Sequence, residues 1–362
     1  MRPADDPWDV VIAGGGPAGL SAALVLGRCR RRVLLCDAGT PRNAATDAMH
    51  GFLGHDGIAP AAFRERVHEE LAGYPQVRFA PRAVEDATAL PDGAGFAVRL
   101  DDGTRARCRK LLLATGMADD VPRVPGFAEL WGRGVHGCPY CDGWELADAP
   151  LAAYGRRRHG MEIARALTAW SRDLVLCTDG PARLSAEDRR ALDANGVRVI
   201  ETRVARLDGH DGRLDAIVFA DGTRLPRRAL FLDTPARPQS RLAERLGCAP
   251  SARGGVRAGR LESTTVPGVY VAGNILRDVQ LAVVAAAEGC KAAFGINRSL
   301  TREDFVRRAT GERFVEHPPL EDPLPSDAAP EDGPAAARAG AIADDSADAS
   351  PADPAPARDA PL

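Results

Sequence analysis

An α/β fold of two three-layer domains, the second inserted into the first, follows from three features of this 362-residue sequence. The run "WDVVIAGGGPAGLSAALVLGRCRRRVLLCDAG" reads as strand, tight glycine turn, helix and strand. A second strand–turn–helix–strand begins at Pro150, in "APLAAYG", "HGMEIARALTAW" and "DLVLCTDG". A third strand, "VPGVYVAGN" (Val266–Asn274), enters a helix at "VQLAVVAAAEGCKAAFGIN" and returns the chain to the first unit. Both units are Rossmann-like nucleotide-binding designs, and a disordered C-terminal tail follows them.

In the first unit, Asp9–Ala13 is the apolar strand, Ala18–Gly27 the helix and Arg32–Cys36 the second strand. A β-meander and a further strand end in "LLLATG" (Leu111–Gly116), and the proline-punctuated "DVPRVPGF" (Asp120–Phe127) suits a domain crossing. Strand-like segments run on to "RALFLDTP", and around Gln239 the chain re-enters the first unit. The expected division is 1–120 and 239–316 for the split domain, 121–238 for the inserted one and 317–362 for the tail. That tail lacks aromatics and is rich in Pro, Ala and Asp, so it cannot bury enough apolar surface to offset its ordering entropy.

Composition removes several function classes. A net charge of −3 gives no reason to expect nucleic acid or an anionic membrane as partner. Only Lys110 and Lys291 are lysines, so the many arginines reflect compositional bias and single arginines carry little signal. The apolar run Val10–Gly27 contains a glycine cluster and Pro17 and follows an acidic lead-in, which argues against a signal peptide or a membrane span. The expected location is the cytoplasm. Of eight cysteines only Cys138 and Cys141 are closely spaced. In a reducing compartment such a pair is redox-active or metal-binding more often than structural. Cys29, Cys36, Cys108, Cys177, Cys248 and Cys290 read as buried small apolar residues.

Gly14, Gly16 and Gly19 form GxGxxG directly after a strand and at the opening of a helix. Glycines there permit the tight turn, the close approach of a pyrophosphate and the helix–strand contact, while the helix N-terminus, at Pro17 and Ala18, favours the phosphates. Asp37 ends the second strand about 20 residues on, where a carboxylate can accept a hydrogen bond from a ribose 2′-hydroxyl.

The stretch "GRGVHGCPYCDGWE" carries the redox chemistry. A cysteine at the start of a helix has its thiolate favoured by backbone N–H groups. Cysteines at i and i+3 can close a disulfide in that turn, and a carboxylic acid at Asp142 can handle the accompanying proton. A zinc site would need two further ligands and finds at most His136 nearby. A glutaredoxin also uses CPYC, but in a much smaller domain without dinucleotide fingerprints. His136 is either a base assisting the exchanging thiol or a plain loop histidine.

Together "GGGPAGLSAAL", "ATG", "GRGVHGCPYCDG" and "TTVPGVYVAGN" resemble the low-molecular-weight thioredoxin reductases among the pyridine nucleotide–disulfide oxidoreductases, over about Asp9 to Asn297. The resemblance implies FAD in the split domain and NADPH in the inserted one, which also carries the CxxC. It places Cys141 against the flavin, makes Cys138 the cysteine that exchanges with substrate, and makes Asp142 the proton donor and acceptor. Cofactor contacts are implied at Gly14, Gly16, Pro17, Ala18, Gly19, Asp37, Ala38, Arg42, Asn43, His50, Val84, Ala114, Thr115, Gly116, Gly273, Asn274, Gln280 and Leu281. A homodimer is the expected assembly, and a thioredoxin-like protein or a small-molecule dithiol or disulfide is the expected partner.

The chain also departs from that pattern. In "YGRRRHGMEIA" Gly155 and Gly160 are kept, but Arg157 stands at the middle glycine position, and the following strand lacks the paired arginines that grip an NADPH 2′-phosphate. Arg156 and Arg158 are the nearby substitutes. Asn274 replaces an aspartate in the "AGD" position. The segment "RNAATDAMHGFLGHDG" looks more like a branch of flavin-dependent dithiol oxidases that pass electrons to oxygen. The sequence therefore predicts an FAD-dependent thiol–disulfide oxidoreductase working through Cys138 and Cys141. The alternatives are an ordinary NADPH-dependent thioredoxin-disulfide reductase and a non-enzymatic flavin-bearing redox sensor.

Overall fold

Period-two burial on a central parallel sheet organises each half of the molecule. The computed structural model describes residues 7–310, so the expected disordered tail at 317–362 lies outside the described residues. From the N-terminus run β1 (Trp8–Ala13), α1 (Pro17–Arg28), β2 (Val33–Cys36), α2 (Pro60–Ala72) and β3 (Val77–Ala80). β4 (Val84–Ala89), β5 (Phe96–Leu100) and β6 (Arg105–Leu113) form the antiparallel meander. After β7 (Met117–Asp119) come β8 (Val135–His136), α3 (Pro139–Asp142), β9 (Leu151–Tyr154), α4 (Arg157–Leu167), β10 (Leu174–Cys177), α5 (Ala186–Ala194) and β11 (Arg198–Ile200). A second meander, β12 (Val204–His210), β13 (Arg213–Phe219) and β14 (Arg224–Pro226), precedes β15 (Ala229–Leu232). β16 (Ala236–Pro238), α6 (Leu242–Arg245), β17 (Val269–Val271) and α7 (Ala282–Ala309) complete the described chain.

The first sheet has the order β3-β2-β1-β6-β5-β4, with β17 joining β6 in parallel through Val269–Leu111 to Val271–Leu113. A strand from beyond residue 260 thus completes a sheet begun at residue 8, and the second sheet, β11-β10-β9-β15-β8, lies between them in the chain. The antiparallel pair β7–β16 (Met117–Pro238 to Asp119–Ala236) carries the chain out of and back into the first sheet.

Side chains alternate across these strands as the pleat requires. Val10, Ile12, Leu35 and Leu112 face α1, α2 and α7, whereas Val11, Leu34, Leu111 and Leu113 face the meander and α6. In the second sheet Leu151, Ala153, Leu174 and Phe231 pack on α4, and Ala152, Val175 and Leu230 pack on the second meander with Phe127. Each half is a helix–sheet–meander sandwich. Being buried on both faces, β1 and β6 need no polar alternation, which is why the strand ends read as unbroken apolar runs.

Several details differ from expectation. Helix α1 starts one residue earlier, at Pro17, whose fixed φ suits the first helical position. The last helix begins only at Ala282, because Leu281 is an extended N-cap, and it continues to Ala309. Cys29 and Cys290 are exposed rather than buried: Cys29 caps the C-terminal end of α1, and Cys290 stands at an exposed position of α7. Helix α2 was not foreseen; its weak apolar stripe buries only Pro60, Phe63 and Leu71. Among the described residues no helix is long and apolar enough to cross a membrane.

Helices α1 and α7 touch backbone to backbone. A Cβ on Gly289 would stand 2.0 Å from the Ala18 carbonyl oxygen. Substituting Gly289→Ala is expected to destabilise the protein by about 1–3 kcal/mol through overpacking, read from urea unfolding.

Candidate functional site

A cleft of about 940 Å³ runs along the carboxyl ends of β1, β6 and β17 to the loop that carries the two cysteines. Such an end is where open α/β sheets place ligands. Its floor is the glycine turn. Gly14 has φ +113°, and a Cβ there would lie 2.3 Å from the Ala114 carbonyl oxygen. Gly19 does not line the cleft; a Cβ on it would lie 1.8 Å from the Gly14 oxygen, so it locks the turn from behind. At Gly16 a Cβ would meet nothing within 4 Å and would project into open space. The helix starts immediately after, at Pro17 and Ala18, and first-turn N–H groups have no intrahelical acceptor.

Every other cofactor-contact residue expected from the sequence lines the same cleft. Asp37 and Ala38 follow β2, Arg42, Asn43 and His50 come from the loop beyond, and Val84 opens the meander. Ala114, Thr115 and Gly116 follow β6, Gly273 and Asn274 follow β17, and Gln280 and Leu281 precede α7. Asp37 accepts a hydrogen bond from Arg64 Nη2 at 2.7 Å and packs over Gly15, where a Cβ would come within 2.5 Å of its Oδ2. Arg42 forms a bidentate pair with Asp119 (2.7 and 2.5 Å) and also donates to the Gln280 side chain. Thr234 Oγ1 donates to the same Asp119 at 2.9 Å. Sequence reading missed Arg64, Asp119 and Thr234. The first lies on the unforeseen α2, and the other two are ordinary polar residues until the crossing strands bring them together.

The cysteines face this cleft as a disulfide, Cys138–Cys141, with Cα atoms 5.3 Å apart. Cys138 is the extended N-cap of α3, a helix of four residues. The Cys141 and Asp142 amides both donate to the Cys138 carbonyl oxygen (3.1 and 3.3 Å). Those N–H groups are therefore spent on the backbone, and the thiolate support expected from a helix start is much reduced in so short an element. Gly143 is required at the turn's end: a Cβ there would stand 2.5 Å from the Pro139 oxygen and 2.7 Å from the Trp170 ring. Tyr140 sets its edge against Trp170 (centroids 5.6 Å apart, 89°).

His136, on β8, stands next to the pair. It is 6% exposed, stacks on Phe231 (centroids 5.0 Å apart, 24°) and holds Nδ1 3.3 Å from Asp142 Oδ1. Neither ring nitrogen has a hydrogen-bond partner in the protein. A buried imidazole whose Nδ1 faces the Asp142 carboxylate, lining a cleft beside a disulfide, is equipped to move a proton. His50 approaches from the other wall, with Nδ1 3.4 Å from Glu145 Oε1.

A family model for pyridine nucleotide-disulphide oxidoreductases matches residues 8–289. The chain belongs to that family. Thioredoxin reductase tcpT of Claviceps purpurea is 34% identical over 290 residues, which cover 76% of this chain and 89% of that protein. Among solved structures, a putative thioredoxin reductase TrxB from Bacillus anthracis is 34% identical with a TM-score of 0.78, covering 82% of this chain and all of that one. The structure named HlmI is 39% identical with a TM-score of 0.81, covering 84% and 96%. The protein is thus a disulfide oxidoreductase of thioredoxin reductase type, from a family that uses FAD.

The first cleft fits that cofactor: Gly16 leaves open the space a side chain would fill, a helix start points into it, and Asp37 closes its far side. The second glycine turn does not fit a dinucleotide. Gly155 and Gly160 keep their contact, a Cβ on Gly160 falling 2.2 Å from the Gly155 oxygen. Arg157 adopts the left-handed φ of 52° at the middle position. Arg156 Nε donates to the Thr178 carbonyl at 2.7 Å, its Nη2 donates to the Asp179 carbonyl, and the guanidinium lies 3.0 Å from where a Gly180 Cβ would be. Arg158 is paired with Glu162 along α4 (2.6 Å). The Arg158 pair lies exposed on the helix surface, and Arg156, held by two backbone carbonyls, is withdrawn from the role of a phosphate anchor. In its place the loop presents Asp179, a carboxylate that disfavours a 2′-phosphate.

Because a Cβ at position 16 meets no protein atom within 4 Å, Gly16→Phe is expected to fold with the stability of the flavin-free protein while losing its flavin. Absorbance of the purified variant near the flavin bands, together with its melting curve, checks both halves.

Proposed function

We propose that this protein oxidises a dithiol through Cys138 and Cys141 without drawing electrons from NADPH. The observation that carries the reading is Arg156, whose guanidinium is bound across the second nucleotide turn to Thr178 and Asp179. The domain boundaries near 120 and 238 belong to the same reading, supported by the crossing strands β7 and β16.

The order of the family motif assigns Cys138 to the substrate and Cys141 to the cofactor. A substrate thiolate attacks Cys138 Sγ, forms a mixed disulfide and expels Cys141 as a thiolate. The second substrate thiol then attacks the substrate's own sulfur in that mixed disulfide; the substrate leaves as a disulfide and Cys138 as a thiolate. Two thiol protons are released for two electrons gained by the cysteine pair. His136, whose Nε2 has no hydrogen-bond partner among the described residues and whose Nδ1 lies 3.3 Å from Asp142, is placed to accept the proton of an incoming thiol, and Asp142 holds the charged ring. When bound, FAD supplies a two-electron acceptor for the dithiol pair, with molecular oxygen as terminal acceptor and hydrogen peroxide as product. Cys138 and Cys141 are partly exposed at the cleft, beside Tyr140 and Trp144, which stand exposed.

Anaerobic titration of the FAD-loaded protein separates this reading from an NADPH-dependent disulfide reductase. A small dithiol is expected to bleach the flavin stoichiometrically, while micromolar NADPH leaves it oxidised. Rapid bleaching by NADPH would establish the reductase instead, and failure of both reagents would leave only a redox-sensing role.

A further inference from the structure

Beneath the turn that follows β17 lies a carboxyl group that the chemistry above does not use. Glu288 is buried in the second turn of α7, and its Oε2 accepts the Gly273 N–H at 2.8 Å. Gly273 has φ +83°, which turns the chain sharply out of β17, and the other face of this turn, Gly273 with Asn274, lines the cleft. The turn is otherwise pinned by Ala272 N to Leu113 O (3.1 Å) and by Leu276 N to Gly273 O (2.9 Å). Among the described residues Glu288 therefore supplies the one side-chain bond to the 272–273 peptide.

The carboxyl also sits behind the phosphate-facing turn. Its neighbour Gly289 packs on the Ala18 carbonyl, and a Cβ on Gly273 would touch the Ala18 side chain at 3.0 Å. Ala18 belongs to the first turn of α1, whose N–H groups point toward the cleft. The charged groups around Glu288 are Glu262 on the short turn before β17, Asp278 ahead of α7 and Lys291 one turn along α7. Lys291 is already paired with Glu262, which is itself buried. A glutamine or any other amide could accept the Gly273 N–H equally well. What a carboxyl adds is a proton that can come and go.

We propose that Glu288 is a positioning residue for the Gly273–Asn274 turn and that its protonation is coupled to retention of the anionic cofactor. The inference rests on the reading that the cleft holds FAD. Burial, with Glu262 and Asp278 adding to it, pushes the Glu288 carboxyl up to about 7. Below that pH the group is neutral and the N–H acceptor remains. Above it a charge appears behind a site whose ligand carries a pyrophosphate, and the two repel. The sign for stability is the same. A carboxyl raised above its ordinary range in the folded protein contributes stability that is complete at acid pH and is lost as pH rises through about 7.

Release of FAD from diluted holoprotein, followed by flavin fluorescence, tests this. Wild-type release is expected to accelerate about tenfold between roughly pH 6 and pH 8, the scale of one coupled proton. Glu288→Gln keeps the acceptor without the charge and should release slowly at every pH. Glu288→Leu loses the acceptor and should release fast at every pH. A Glu288→Gln variant with the wild-type pH profile would overturn the coupling, and a Glu288→Leu variant as retentive as the wild type would overturn the positioning role. Wild-type protein that binds no FAD at any pH would instead overturn the reading beneath both, with the Glu288→Gln melting curve still deciding whether this carboxyl titrates near neutrality.

Discussion

Two backbone contacts too short for any side chain govern where the working parts of this protein sit. Gly19 against the Gly14 carbonyl brings the start of α1 onto the end of β1, and Gly289 against the Ala18 carbonyl brings α7 onto α1. Without the first contact the glycine turn could not close over Ala114. Without the second, the Gly273–Asn274 turn and the start of α7 would not reach the same cleft. Hydrophobic burial on both faces of the sheet supplies most of the stabilisation. The glycines decide which of the many apolar packings leaves an open, polar-edged groove at the strand ends.

The second half of the molecule shares the architecture with a differently lined glycine turn. Its Gly155–Gly160 contact is intact, and Arg157 even keeps a glycine-like backbone. Arg156, however, ties the turn to the loop after β10. What this half retains is a scaffold for the cysteine loop. β8 enters its sheet beside β15, and that strand delivers His136 and, two residues later, Cys138 to the cleft of the other half. Arg42–Asp119, Arg133–Asp47 and His50–Glu145 then join the two walls around the disulfide.

Much of this was legible in the sequence because the relevant signals are local. A strand, a glycine turn and a helix lie within about 20 residues, and CxxCD needs only five. The interrupted layout was legible from the return of a strand–glycine–helix pattern at Val266. What escaped was non-local. Arg64 reaches Asp37 from a helix with hardly any apolar stripe, and the Asp119 cluster exists only because β7 and β16 pair. Arg156 and Arg158 read as possible phosphate ligands since a sequence shows charge but not its partners. Cys29 and Cys290 read as buried because a cysteine's composition prior says so, while Cys29 lies in the turn after α1 and Cys290 at an exposed position of α7. The support of a thiolate expected from a helix start is reduced for a geometric reason: the helix has only four residues, and the Cys141 amide bonds the Cys138 carbonyl.

The division of labour between the cysteines is the central claim, and covalent trapping measures it directly. The FAD-loaded Cys141→Ser and Cys138→Ser variants would each be exposed to an aromatic disulfide such as dithionitrobenzoate, digested and mapped by peptide mass spectrometry, with the exposed Cys29 and Cys290 as internal standards for unhindered thiols. The account predicts rapid, stable mixed-disulfide formation on Cys138 in the first variant and little or none on Cys141 in the second. Faster labelling of Cys141 than of Cys138 would contradict it.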